Sequence, residues 1–140
     1  MLQEIPTPVN LTLPTDNNNV ELLAKLLHTC KLENAIHKVQ GILSKVPSLV
    51  NSASSHDLST PLHIAVYAEQ LPVISYLIQQ NANIEAIDVE GNTPLHIAAI
   101  VGSSTIVKYL LHKNASINSV NQVDNIFSFL LDKIIIFLFQ

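Results

Sequence analysis

The side chains best suited to chemistry in this sequence are its six histidines, its single cysteine and one close pair of carboxylates. Histidine binds metal ions or transfers protons only beside suitable partners, and the sequence contains neither an H-E-x-x-H motif nor a paired Cys-x-x-Cys. Three glycines are too few to build a phosphate-binding loop. Asp88 and Glu90 lie close together, and Cys30 has no second cysteine with which to form a disulfide. The sequence therefore predicts no enzyme, no catalytic residue, no metal ligand and no bound cofactor.

Two of the histidines, His63 and His96, lie at the same place in a repeated hexapeptide. Residues 60–65 and residues 93–98 both read TPLHIA, and the two copies are 33 positions apart. Flanking tyrosine, leucine and asparagine residues repeat at the same interval. Self-similarity at a fixed period of this length is typical of a repeat architecture. A metal-binding or acid–base pair of these histidines is the alternative interpretation, and nothing in their spacing supports it.

The hexapeptide carries the signals of a helix start. Thr60 and Thr93 can cap the first turn, because their hydroxyls can accept a hydrogen bond from a backbone N–H that has no partner in the helix. The proline after each threonine occupies the first helical position, where its missing N–H costs nothing. Leu62, Ile64 and Ala65 then form an apolar stripe, in which the small alanine lets a neighbouring helix approach closely. The sequence therefore predicts two equivalent helices that begin at the two threonines.

The hexapeptide and its 33-residue spacing resemble the signature of the ankyrin repeat. The resemblance implies an all-α ankyrin-repeat solenoid of about three helix-turn-helix repeats, with short hairpin loops and a hydrophobic C-terminal capping helix. In that family the signature histidine hydrogen-bonds within its own turn and to the neighbouring repeat, which implies a structural role for His63 and His96. The resemblance also implies that Asp88 and Glu90 lie at the solvated tip of a hairpin.

The apolar periodicity divides the chain into three parts. Residues 1–18 contain three prolines and no helical pattern, and we expect a flexible leader there. Residues 19–125 form the predicted ankyrin-repeat domain, and residues 126–140 form an apolar tail.

The predicted domain contains repeats at approximately 20–54, 55–87 and 88–120, each with two helices. The first repeat lacks the hexapeptide, as terminal repeats often do, and an unrelated helical hairpin packed on the stack is the alternative. The predicted helices run from Val20 to near Cys30, from Ala35 to Leu43, from Thr60 to Ala68, from Pro72 to Gln79, from Thr93 to Val101 and from Ser104 to Leu111.

The tail is the most apolar part of the chain. Eleven of the fourteen residues 126–139 are apolar, and all four phenylalanines lie among them. A helix that caps the open side of the third repeat is the favoured interpretation, and self-association through surplus apolar surface is the second. A membrane anchor is the third, but the run is shorter than the roughly 20 residues of a membrane span, and Asp132 and Lys133 interrupt it.

The charge of the chain argues against nucleic acid as a partner. The 140-residue chain has a formal net charge of −4, and all seven of its basic residues are scattered lysines. Arginine, the usual side chain for recognising phosphates and base edges, is absent from the sequence. The N-terminus lacks the pattern of a secretory signal, and a single cysteine suits a reducing compartment. We therefore expect a protein partner and a cytoplasmic location, with the nucleus as a further compartment.

The ankyrin resemblance also implies where a protein partner would bind. Proteins of this family contact partners through variable residues at the hairpin tips and at the inner end of the first helix of each repeat. Tyr67 is the first candidate for an anchor, because an aromatic ring with a polar tip contributes much contact area. Packing of Tyr67 beneath the hairpin is the alternative. The predicted partner-binding residues are His56, Asp57, Ser59, Tyr67, Ala68, Val89, Glu90, Asn92, Ile100 and Val101, and Gln122 and Val123 extend the same line.

Residues 60–118 show a narrower resemblance, to IκB-like inhibitors and the ankyrin region of NF-κB precursors. It is carried by the run from Thr60 to Val66, by Gln70 and Pro72, and by residues 88–96. It implies an inhibitor that sequesters a Rel-homology transcription factor and masks its nuclear localisation signal. The chain departs from that family because it has about three repeats and lacks a D-S-G-x-x-S degradation motif. A generic ankyrin scaffold, or a shortened form with a docking tail, is the alternative.

Overall fold

The computed structural model describes residues 17–119 together with Asn121 and Ile136. The described residues contain six α-helices and one short 3-10 helix, and the fold is an all-α stack of helix pairs, as the sequence predicts. The helices are α1 (Asn17–Thr29), α2 (Ile36–Lys45), the 3-10 helix (Pro47–Asn51), α3 (Pro61–Tyr67), α4 (Leu71–Gln79), α5 (Pro94–Val101) and α6 (Ser104–His112).

Helices α3 and α5 begin in the same way, because the hexapeptide caps both of them. The Thr60 side-chain oxygen accepts a hydrogen bond from the His63 backbone N–H at 3.5 Å. The His63 Nδ1 atom accepts one in return from the Thr60 backbone N–H at 3.2 Å, which completes a capping box. Thr93 and His96 form the same box at the start of α5, with a distance of 3.0 Å from the Thr93 nitrogen to the His96 Nδ1. The predicted threonine caps are therefore confirmed in both helices.

The core runs continuously through the stack. Leu62 in α3 and Leu95 in α5 hold equivalent positions, and both are fully buried. The two helices pack against each other, and the small side chains of Ala65 and Ala98 are fully buried along them. Burial of a leucine side chain contributes about 1.5–3 kcal/mol, so this repeated interface is a main source of the free energy of folding.

The first helix pair extends the same stack. Helix α1 contacts α3, and α2 contacts both α1 and α4. Leu26 and Val39 bury the facing sides of α1 and α2 completely. The first helix pair is therefore stacked on the second repeat, with α1 beside α3 and α2 beside α4.

Two features of the first repeat differ from the prediction. Helix α1 begins at Asn17, so its first two residues lie within the stretch predicted as leader. The asparagines of its first turn are largely exposed and bury no apolar surface, which explains why the apolar pattern does not reveal it. The 3-10 helix Pro47–Asn51 was not predicted, because the second predicted helix ends at Leu43, and its Leu49 and Val50 bury their side chains in the core.

Several predictions fall on residues outside the described part of the chain. These are the flexible leader up to residue 16, the binding positions Gln122 and Val123, and the apolar tail apart from Ile136, which is helical and exposed. The capping helix and self-association through the tail therefore stay predictions. None of the described helices has the length and apolar character needed to cross a membrane.

Candidate protein-binding groove

A groove of about 620 Å³ opens along one side of the stack, between the two hairpin tips and helices α3 and α5. Eight of the ten predicted partner-binding residues line it: Asp57, Ser59, Tyr67, Ala68, Val89, Glu90, Asn92 and Ile100. The structure adds Lys31, His63, Ile64, Asp88 and Ile97, which the sequence analysis did not include among the binding residues. Of the two remaining predicted residues, His56 is exposed and Val101 is half-buried, and neither lines the groove.

The inner part of the groove is apolar, and its residues repeat with the period of the stack. Ile64 and Ile97 are 33 positions apart, as are Tyr67 and Ile100, so each helix contributes the same two positions one turn apart. Tyr67 is 70% exposed and Ile100 is 58% exposed. The exposure of Tyr67 is incompatible with the alternative in which its ring packs beneath the hairpin. The helices therefore present an open apolar stripe to solvent.

The outer part of the groove is formed by two hairpin tips that are tied together. The Val89 backbone N–H donates a hydrogen bond to the Asp57 carbonyl oxygen at 2.8 Å, which joins the second hairpin to the first. The Asp88 Oδ1 atom accepts hydrogen bonds from the Glu90 and Asn92 backbone N–H groups, both at 2.9 Å. These bonds fix the tip, so Val89, which is 53% exposed, projects from a defined loop.

Ser59 and Asn92 shape the hairpins from within. Both residues are buried, with exposed fractions of 7% and 5%. The Ser59 backbone N–H donates to the Asp57 Oδ1 at 3.1 Å, and the Asn92 Nδ2 donates to carboxylate oxygens of Asp88 and Glu90, each at 3.3 Å. Both residues line the groove, but their polar groups are engaged with neighbouring residues of the hairpins.

The hairpin end of the groove is acidic. Partial burial by itself would raise the pKa of Asp57, but hydrogen bonds from Ser59 and Ser54 outweigh it, and the net effect is a lowered pKa. Asp57, Asp88 and Glu90 line the groove together with Lys31, so three carboxylates and one ammonium leave a formal charge of −2. The groove therefore changes along its length from acidic at the hairpins to apolar at the helix ends.

A family model for ankyrin repeats, in three copies, matches residues 11–121 of this chain. The chain belongs to the ankyrin-repeat family. A search of curated proteins returns no match. The matched family indicates a protein-binding module, and the match points to no catalytic family. It gives no support to the narrower IκB-like resemblance. The three copies agree with the three stacked helix pairs, including the first pair, which lacks the hexapeptide.

The ankyrin histidine His63 joins two repeats beneath the groove. Its Nε2 atom lies 2.9 Å from the Asn92 carbonyl oxygen, which can only accept, so Nε2 carries the proton. Its Nδ1 atom is then the acceptor, which fits the hydrogen bonds from the Thr60 backbone N–H and hydroxyl. Burial lowers the pKa of His63, although the contact with Asn92 and the charge of Asp88 oppose this effect. The structural role that the resemblance implied for this histidine is therefore confirmed.

The remaining groups singled out from the sequence form no reactive site in the described residues. Cys30 is fully buried, and burial raises the pKa of its thiol to about 12. A thiol of that pKa stays protonated at neutral pH and is a poor nucleophile. In the described part of the chain, no group of three histidine, cysteine, aspartate or glutamate side chains is arranged to hold a metal ion.

Proposed function

We propose that this ankyrin stack is a protein-binding module without catalytic activity, and that the groove between α3, α5 and the hairpins is its binding surface. The observation that carries the proposal is the exposure of Tyr67, Val89 and Ile100 around one groove. Large apolar side chains gathered in a concave surface, next to a polar rim, have the composition of an interface centre. Solenoids of stacked repeats use extended concave surfaces of this kind to bind other proteins.

We further propose a Rel-homology transcription factor dimer as the partner, which would make the protein an IκB-like inhibitor located in the cytoplasm, with the nucleus as a further compartment. The support is the residue pattern of 60–118 and the acidic rim, which suits the basic character of a nuclear localisation signal. A generic ankyrin scaffold with another protein partner is the alternative.

Capture on an immobilised, purified Rel-homology dimer tests both the proposed binding surface and the proposed partner. The wild-type chain should be retained, and Tyr67→Ala combined with Ile100→Ala should weaken retention at least about tenfold, because exposed aromatic and aliphatic anchors dominate interface energies. Glu90→Lys should also weaken retention by reversing one charge of the rim.

Ile117→Ala is the matched control, because Ile117 is 42% exposed and does not line the groove. Retention that survives the groove substitutions would reject the groove as the surface. No retention of the wild-type chain would reject the Rel-type partner.

A further inference from the structure

We infer that the groove recognises one kind of protein segment, in which an aliphatic or aromatic anchor lies next to a pair of basic residues. This inference rests on the proposed binding role of the groove and specifies the chemistry of its occupant. It does not depend on the partner being a Rel-homology protein.

The first step is the polarity of the groove along its length. The carboxylates of Asp57, Asp88 and Glu90 lie at the hairpin end, whereas Tyr67 and Ile100 lie at the far ends of α3 and α5. An occupant that fills the groove therefore meets acidic groups at one end and an apolar stripe at the other. A uniformly apolar segment would leave the carboxylates without a charged partner, and a uniformly basic one would leave the stripe exposed to water.

The second step is the state of the carboxylates. Each of the three accepts hydrogen bonds from hairpin N–H or amide groups. These bonds orient the carboxylates but cancel no charge. Lys31 is the lysine that lines the groove with them. The neutral tautomer of His63 adds no positive charge to the groove floor. The three oriented carboxylates therefore outnumber the single ammonium of Lys31, and the remaining formal charge of −2 attracts lysine and arginine.

The third step is the size of the groove. Its volume of about 620 Å³ is within the range of clefts that enclose a small ligand or a few side chains, which is roughly 300–1,000 Å³. A single anchor between Tyr67 and Ile100, with two basic side chains reaching the hairpins, fits such a space. The equivalent positions in α3 and α5 place two apolar walls beside that anchor.

The test uses fluorescein-labelled peptides of nine residues in a background of alanine, glycine and serine. One set carries leucine, isoleucine or phenylalanine followed at varied spacing by two lysines or arginines. The second set replaces the basic residues with glutamate, and the third replaces them with glutamine. Fluorescence anisotropy with the full chain should show binding of the basic set at least tenfold tighter than of the other two. Raising the salt concentration should weaken that binding several-fold, because partly exposed charges are screened.

Two substitutions separate the acidic and apolar ends of the groove. Glu90→Gln removes a charge but keeps an oxygen that can accept the hydrogen bond from Asn92, so it should weaken the basic peptides and leave the glutamine peptides unchanged. Ile100→Ala should weaken every peptide that carries the anchor. Glu33→Gln and Ile117→Ala are the controls, because both side chains are exposed and neither lines the groove.

Equal binding of the glutamate or glutamine set, an unchanged affinity in Glu90→Gln, or no binding by the basic set would overturn the inference. If neutral anchor peptides bind as tightly as the basic ones and Ile100→Ala abolishes the binding of both, only the charge selection fails and the binding role of the groove stands. If neither groove substitution changes the capture of any protein or peptide, the proposed function itself fails.

Discussion

At the scale of single residues, the second and third repeats place different amino acids at an equivalent backbone position of positive φ. Gly102 ends α5 with a φ of +81°, and Glu69, 33 positions earlier, has a φ of +56°. Glycine adopts this left-handed conformation without strain, whereas a residue with a Cβ atom pays about 1–2 kcal/mol for it. The Glu69 side chain is exposed, so burial of that side chain does not offset this cost. The second repeat is therefore strained at a point where the third is not.

We predict that Glu69→Gly stabilises the protein and that Gly102→Ala destabilises it. The first change should raise the free energy of unfolding by about 0.5–1 kcal/mol, after allowing for the greater entropy of glycine in the unfolded chain. The second should lower it by about 1 kcal/mol through strain alone, because a Cβ atom at Gly102 would meet no atom within 4 Å. Urea unfolding of both variants measures the two effects, and changes of the same sign would contradict the explanation.

At the scale of elements, side chains from one repeat bind the backbone of the next. His63 at the start of α3 donates to the Asn92 carbonyl oxygen of the following hairpin. Asn51, at the end of the 3-10 helix, donates to the Asn81 carbonyl oxygen at 3.0 Å and accepts from the Asn83 N–H at 2.7 Å. Such bonds provide hydrogen-bond partners for backbone groups of the loops, which have no partner within a helix. They also fix the spacing between neighbouring repeats.

The His63 link predicts a loss of stability in mild acid. Because the pKa of His63 is lowered below its ordinary value of 6.5 in the folded protein, the unfolded chain binds the proton more readily. The contribution of neutral His63 to the free energy of unfolding is therefore complete above pH 6.5 and is lost as the pH falls from there toward the lowered pKa. The free energy of unfolding decreases by at most about 1.4 kcal/mol per pH unit in that range. Urea unfolding between pH 7.5 and pH 5 measures this slope.

His63→Gln should destabilise the protein at every pH and also reduce the slope, because glutamine does not titrate. His37→Gln is the control, since it removes an exposed imidazole outside the stack interface. If the free energy of unfolding of His63→Gln depends on pH as steeply as that of the wild type, another group causes the acid sensitivity.

The sequence predicts the elements of the second and third repeats better than their surroundings. Helices α3 to α6 begin and end within one residue of the prediction, because proline, threonine caps and apolar spacing all mark the same boundaries. The left-handed position of Glu69 could have been found by aligning it with Gly102. The burial of Asn92 could not, because it depends on contact between this hairpin and the second repeat, where His63 donates to the Asn92 carbonyl oxygen. Eight of the ten predicted binding residues line one groove because the 33-residue period repeats their positions on one side of the stack, and their binding role stays a prediction.

At the scale of the whole molecule, stability is shared between neighbours, since each repeat buries apolar surface only against the repeats beside it. Helix α3 contacts both α1 and α5, so the second repeat connects the first with the third. The groove lies across α3 and α5, so the proposed binding also depends on this connection. A defect in the second repeat should therefore spread in both directions along the chain.

Leu62→Ala and Leu110→Ala each truncate a fully buried leucine. We predict that the two substitutions differ in how many helices they destabilise. Each should cost about 2–5 kcal/mol, because each leaves a cavity in the core. Leu62→Ala in α3 should lower amide hydrogen-exchange protection in α1 and α2 as well as in α5 and α6, whereas Leu110→Ala should act first on α5 and α6. Loss of protection confined to α3 and α4 in Leu62→Ala would mean that the repeats fold independently. The groove would then join two separate units, and its affinity would depend on how often both are folded at once.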